Sequence, residues 1–313
     1  MVGTTPTLKP ARAALGGRRR NRNRATTAGL TYSSLLLPSL LLVVLIDAYP
    51  LIYAVNTSLH GGSLIQQGNF VGLGNFVSVL NDPSFRASTR FTLIFVVVSV
   101  LGSWAVGMVL AVVLKVRFPG RSFFRVILLL PWIVPIVVTS MSWAFLLGTS
   151  DGAVPSLFRA LGLGNNVLFL GDPVLAQISL CLFKIWISFP FTLIVMGSAL
   201  ESVDQNLYEA ARIDGATRWR QFTSITLPMT GRTTYVCWIM MSIFTINDFP
   251  SVWLLTGGGP VGATQTMVVY AYNLAFSEFT PGLGIAVALL ITACLIAVSV
   301  FMYRMIRRSF TIA

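Results

Sequence analysis

Residues 202–228 read Ser-Val-Asp-Gln-Asn-Leu-Tyr-Glu-Ala-Ala-Arg-Ile-Asp-Gly-Ala-Thr-Arg-Trp-Arg-Gln-Phe-Thr-Ser-Ile-Thr-Leu-Pro, a polar island between two strongly apolar stretches. Ser202-x-x-Gln205 fits a capping box, and Val203, Leu207, Ala210 and Ala211 recur at helical spacing. Gly215 is placed to end that helix in a left-handed conformation, which only glycine adopts without a steric penalty. This predicts a short helix over about 203–214. A second short piece follows, with Thr217 as its cap and Trp219 and Phe222 three apart on one face. Pro228 suits the first turn of the next apolar helix.

The surroundings decide what such an island is for. Hydrophobic residues make up 55% of the chain and charged residues 10%, against about 25% charged in an ordinary soluble domain. Spans of roughly twenty or more apolar residues lie at about 28–59, 88–114, 123–147, 173–199, 231–255 and 282–303. The first is too long for a signal peptide, contains Asp47 and Pro50, and has no small-residue cleavage pattern. The reading is an all-α membrane protein with six transmembrane helices. Residues 1–27 carry seven basic residues and no acid and read as a disordered cytoplasmic tail; 28–308 form the transmembrane domain, with a cytoplasmic segment at 200–230, and 309–313 are a short C-terminal tail.

Orientation follows from the basic residues. Besides the tail, Lys115, Arg117, Arg121 and Arg125 fall in one connection, Arg212, Arg218, Arg220 and Arg232 in another, and Arg304, Arg307 and Arg308 at the end. All lie on one side of a six-span topology, while only Arg86, Arg90 and Arg159 lie opposite. Both termini and the Glu209 island are therefore expected in the cytoplasm. The net charge of +12 does not point to nucleic acid, because no segment interleaves basic and aromatic residues on a polar face. Cys181, Cys237 and Cys294 each sit in an apolar span without a near partner, so neither a disulfide framework nor a zinc site is indicated.

Glu209-Ala-Ala, Gly215 and Ile225-Thr-Leu-Pro228 stand at the spacing of a known cytoplasmic motif, and the chain resembles the permease subunits of binding-protein-dependent ABC importers. Phe70-Val-Gly-Leu-Gly-Asn-Phe76, Asn81-Asp-Pro-Ser-Phe85 and Leu130-Pro-Trp-Ile-Val-Pro135 resemble the sugar and glycerol-phosphate branch. Thr256-Gly-Gly-Gly-Pro260 resembles the loop before the last helix of the larger, maltose-type subunit, although its glycines require only a tight turn. Two departures stand out: Pro155 where the family often has asparagine, and Pro250 where an acid often precedes the glycine loop, with Asp248 nearby instead. The resemblance implies the type I importer permease fold in the bacterial inner membrane. It makes Glu209, Ala210, Ala211, Asp214, Gly215, Ala216, Leu227 and Pro228 a coupling helix that docks on an ATPase. The implied partners are a second permease, two copies of the ABC ATPase, an extracytoplasmic substrate-binding protein, a sugar and membrane lipid, with ATP and Mg held by the ATPases and no cofactor in this chain.

Ser99, Ser103, Gly107 and Ala111 in the second span, and Gly282, Ala286, Ala293 and Ala297 in the sixth, are small residues at helical intervals suited to close packing. Pro131 and Pro135 should distort the third span. Polar groups at membrane depth are costly and mark function, so Asn247, Asp248 and Trp253 are candidate sugar-facing residues, whereas Lys184 is read as snorkelling to an interface. No Gly-Lys-Ser/Thr phosphate loop occurs, as the three lysines Lys9, Lys115 and Lys184 do not follow glycine. ATP-driven transport would therefore need its ATPase on another polypeptide. The competing class is an ion-driven secondary transporter using Asp47, Asp248 or Lys184 as a relay, but no internal repeat of the usual kind is apparent.

Overall fold

The computed structural model describes residues 17–309 apart from 64, 117, 149, 150, 165 and 166. Arg117, the first sixteen residues of the expected tail and residues 310–313 lie outside the described residues. Helix α1 covers Gly17–Ser58, so it starts inside the stretch expected as a tail; its Leu36–Ser58 part is long and apolar enough to cross a membrane. The described residues divide into two compact units, one up to Asn56 and one from Thr57 onward.

In the second unit, strands β1 (His60–Gly62) and β2 (Gln67–Phe70) form an antiparallel hairpin that the sequence reading did not foresee. Helix α2 (Gly74–Asn81) follows. Its Asn75 amide donates to the Ser58 and His60 carbonyls at 2.8 and 2.9 Å, tying the loop down. The long helices are α3 (Pro83–Lys115), α7 (Pro173–Glu201) and α14 (Pro281–Ser309). Both α3 and α7 begin with proline at the first turn behind an aspartate cap, where the missing N–H costs nothing. Asp82 accepts from the Ser84 N–H at 2.7 Å, and Asp172 from Val174 and Leu175 at 2.9 Å.

The third and fifth spans are broken. Helix α4 (Arg121–Ile133) and α5 (Ile136–Leu147) meet at 91°. Pro135 forces Val134 into extended backbone, so the distortion expected from the proline pair is realised as a full break. Helix α11 (Gly231–Ile246) and α12 (Phe249–Leu255) are bent by 48° around Asp248. With α1, α3, α7 and α14 uninterrupted and each bent pair taken as one span, the six expected spans are present. Short helices α6 (Ala153–Ala160) and α13 (Met267–Tyr272) lie between them.

The central pairing is α3 against α7. Ser99, Ser103, Gly107 and Ala111 are all buried, as the small-residue stripe predicts. At their centre the Thr192 hydroxyl donates to the Ser103 carbonyl at 2.6 Å. A Cβ on Gly107 would collide with Thr192 Oγ1 and lie 2.8 Å from the Leu193 backbone nitrogen. The stripe on α14 holds only at its start: Gly282 abuts the His60 carbonyl and Ala286 is fully buried, but Ala293 and Ala297 are exposed.

The glycine-rich loop is a tight turn stapled from three sides. Gly257, Gly258 and Gly262 take positive φ. Thr264 bridges Thr256 Oγ1 and the Gly259 carbonyl at 2.7 and 2.6 Å. Gln177 of α7 donates to the Ala263 carbonyl at 2.6 Å, and the Met267 N–H reaches Thr92 of α3.

At the entry to α3, the Tyr270 hydroxyl donates to Asp82 Oδ2 at 2.6 Å. That bond, ahead of the Ser84 contacts, holds the Asp82 carboxyl below its ordinary value. A depressed native value stabilises the fold above the ordinary aspartate range, and the contribution is lost as pH falls through the native value. Tyr270→Phe should therefore lower thermal stability slightly at neutral pH and flatten the acid-side loss; unfolding temperatures of both proteins across neutral and acidic pH check this.

Candidate functional site

The polar island folds into a chain of short helices. Helix α8 covers Gln205–Ile213, and its cap is Asp204, whose carboxylate accepts from the Asn206 N–H at 2.9 Å. Ser202 does not cap it. Since α7 runs to Glu201, the Ser202 hydroxyl instead donates back to the Ala199 carbonyl at 2.8 Å. Gly215 ends α8 with φ +75°, and the Ala216 and Gly215 N–H groups return to the Ala211 and Arg212 carbonyls at 2.8 and 3.1 Å. This is a Schellman closure.

Thr217 caps α9 (Arg218–Gln221) through the Arg220 N–H, as expected. The Trp219 and Phe222 rings lie 5.8 Å apart. A π-helical turn, Phe222–Thr226, leads to the single turn α10 (Leu227–Met229), which holds Pro228 one break before α11 rather than in it.

This segment has two faces. Tyr208 hydrogen-bonds Thr226 at 3.0 Å, its ring receives Lys115 at 4.4 Å, and Leu227 and Phe222 pack on the core made by α3, α7 and α11. On the other side Leu207, Ala210 and Ile213 share a helix face and are exposed, Ile213 by 87% and Trp219 by 73%. Glu209 and Asp214 are exposed as well, while Ala211 and Ala216 are half-buried. Among the described residues the Glu209 carboxylate has only a 4.0 Å contact with Arg212 one turn away, which contributes little at a solvated surface. Its acceptor capacity remains available.

The other predicted cluster is arranged differently from expectation. Lys184 Nζ lies 2.6 Å from Asp248 Oδ2, with side chains only 9% and 4% exposed. Lys184 thus does not snorkel; it reaches from α7 to the break between α11 and α12. Asp248 Oδ1 accepts from the Ser251 N–H and so caps α12. Its carboxylate, expected to face a sugar, is committed on both oxygens. Asn247 is exposed, its amide donating to the Ile243 carbonyl. Trp253 joins an aromatic set the sequence reading missed: it stacks on Phe249 at 5.4 Å, and both meet Tyr272 within 5 Å. The i, i+4 spacing of Phe249 and Trp253 was the available clue.

Residues 103–312 match the family described as "Binding-protein-dependent transport system inner membrane component". The chain belongs to that permease family. It is 34% identical, over 82% of its length and 86% of the relative's, to the trehalose/maltose transport system permease protein MalF of Thermococcus litoralis. It is 30% identical to the sulfoquinovosyl glycerol transport permease SmoG of Agrobacterium fabrum, over 87% of this chain and 89% of that one. In fold it matches a chain of a bacterial ABC transporter involved in import of the acidic polysaccharide alginate, with a TM-score of 0.79, 24% identity and coverage of 92% and 99%. The permease is thus a multi-pass protein of the inner membrane with the type I importer fold.

Proposed function

We propose that this permease moves a sugar or related carbohydrate inward by alternating access, driven by ATP hydrolysis on two copies of a separate ATPase, and that it works with a second permease and an extracytoplasmic binding protein. The single observation that carries the reading is the 202–228 segment. It is anchored through Tyr208, Phe222 and Leu227 and presents Leu207, Ala210, Ile213 and Trp219 outward beside Glu209. An apolar patch rimmed by charge marks a protein contact. Two relatives named for trehalose/maltose and sulfoquinovosyl glycerol transport support the substrate class.

Within the pathway, Asn247 and Trp253 are the proposed sugar contacts, with Phe249 and Tyr272 extending the ring surface, and Asp248 holding α12 in place. Of the three relay candidates of the ion-driven alternative, Asp248 and Lys184 are committed to each other, which leaves it Asp47 alone.

The segment gives its residues separate tasks. Glu209→Ala removes a carboxylate available for a charge-assisted bond with a cationic group on the ATPase, and should weaken binding. A Cβ at Gly215 meets no atom within 4 Å, so Gly215→Val carries a conformational cost, about 1–2 kcal/mol for a left-handed residue with a Cβ. It should uncouple more severely than Glu209→Ala while leaving membrane insertion unchanged, and Gly215→Asn should recover part of the loss. ATPase pull-down and substrate-stimulated hydrolysis in reconstituted transporter decide the matter. Normal docking and stimulation in both variants would reduce the segment to a connecting loop.

A further inference from the structure

At the end of the bundle that carries α8, the last turns of α3 and α7 and the first turns of α4 enclose a cavity of about 510 Å3. Lys115, Arg121 and Arg125 line it, the last two one helical turn apart on α4. None of the three makes an ion pair among the described residues. Arg121 Nε is buried and has no hydrogen-bond partner among the described residues, and a buried guanidinium donor without an acceptor marks a position where an acceptor belongs. Glu201 also lines the cavity but pairs with none of the cations. The same cavity is lined by the buried apolar residues Ala111, Leu114, Leu193 and Leu200.

A cationic cluster and an apolar lining in one cavity match the two ends of an amphiphile. We propose that this cavity is a binding site for an anionic phospholipid, the phosphate held by Arg121, Arg125 and Lys115 and the first methylenes of an acyl chain against the leucines. A free phosphate satisfies the same cations but leaves the apolar wall unfilled. The cavity lies between the ends of apolar helices, where headgroups lie in a bilayer, and basic pockets between such helices suit anionic headgroups. It also touches Gln205, the first residue of α8, so its occupant sits at the root of the segment described above. The proposal does not depend on ATP coupling.

Two variants separate charge from space. Arg121→Gln with Arg125→Gln removes two of the three phosphate donors. Gly197→Leu keeps every charge and projects into the cavity, since a Cβ there meets nothing within 4 Å. The full chain, reconstituted in nanodiscs of phosphatidylglycerol and phosphatidylcholine, is analysed by native mass spectrometry for retained lipid. Its circular dichroism and melting temperature verify folding. Wild type should retain phosphatidylglycerol over phosphatidylcholine, and each variant should lower that retention roughly tenfold. Retention equal to wild type in folded variants overturns the proposal. So does release of the lipid by millimolar inorganic phosphate, which would make this a free-anion site. Displacement of the lipid when a purified ATPase subunit is added would assign the cavity to a protein segment instead, and also overturns it.

Discussion

Lys184→Met should cost about 3–5 kcal/mol of stability, because it strands the Asp248 carboxylate in an apolar bundle with one hydrogen bond in place of its ion pair. Asp248→Ala should be destabilising for the mirror reason, leaving an ammonium buried, and it also removes the cap of α12. The double replacement Lys184→Met with Asp248→Leu should recover most of the loss, since a well-packed apolar pair often equals a buried ion pair. Unfolding of the solubilised protein, arranged as a double-mutant cycle, measures the coupling directly. Single variants that fold as stably as wild type yet fail to transport would return Asp248 to the sugar pathway.

That pair shows both the reach and the limit of the sequence. Lys184 and Asp248 are visibly the charges at depth in the fourth and fifth spans, and the expense of burying either alone predicts that such groups find partners. Reading each by its own span concealed the pairing, because a contact across 64 residues leaves no local pattern. Periodicity carried much further for α3 and α7, where stripe, prolines and aspartate caps all lie within one element and fix its ends and its packed face.

The cap of α8 failed for a different reason. Ser202 and Asp204 are both good capping residues two apart, and what assigns them is where α7 stops, a packing fact. The hairpin at 60–70 and the helix at 267–272 were missed because each is too short to show a period above its surroundings. On α14 the interval of small residues states where a neighbour could approach closely. It does not state that one is present, and at Ala293 and Ala297 the side chains are exposed. Surface character was likewise invisible: Val203, Leu207, Ala210 and Ala211 recur at helical spacing, but in the fold Val203 is buried and Ala211 half-buried while Leu207 and Ala210 are exposed beside Ile213.

Gly107→Val should separate α3 from α7. The added Cβ collides with Thr192 Oγ1 and approaches the Leu193 backbone nitrogen at 2.8 Å, where a real contact essentially never lies. A side chain could rotate away, but the helix backbone can yield only by moving as a unit. The Thr192 hydrogen bond to the Ser103 carbonyl and the buried Ser99 and Ala111 contacts must then stretch with it. Packing of small residues is a principal source of helix association in lipid, where the hydrophobic drive between helices is absent. The loss should therefore fall at or above the top of the roughly 1–3 kcal/mol that overpacking costs. Gly231→Ala provides the control, since its Cβ meets nothing within 4 Å, and should leave unfolding unchanged. Comparing both variants by unfolding in detergent, with insertion verified by membrane fractionation, isolates the helix contact. Wild-type stability in Gly107→Val would mean that α3 and α7 can slide apart without penalty, and that the close approach at Gly107 contributes nothing to the fold.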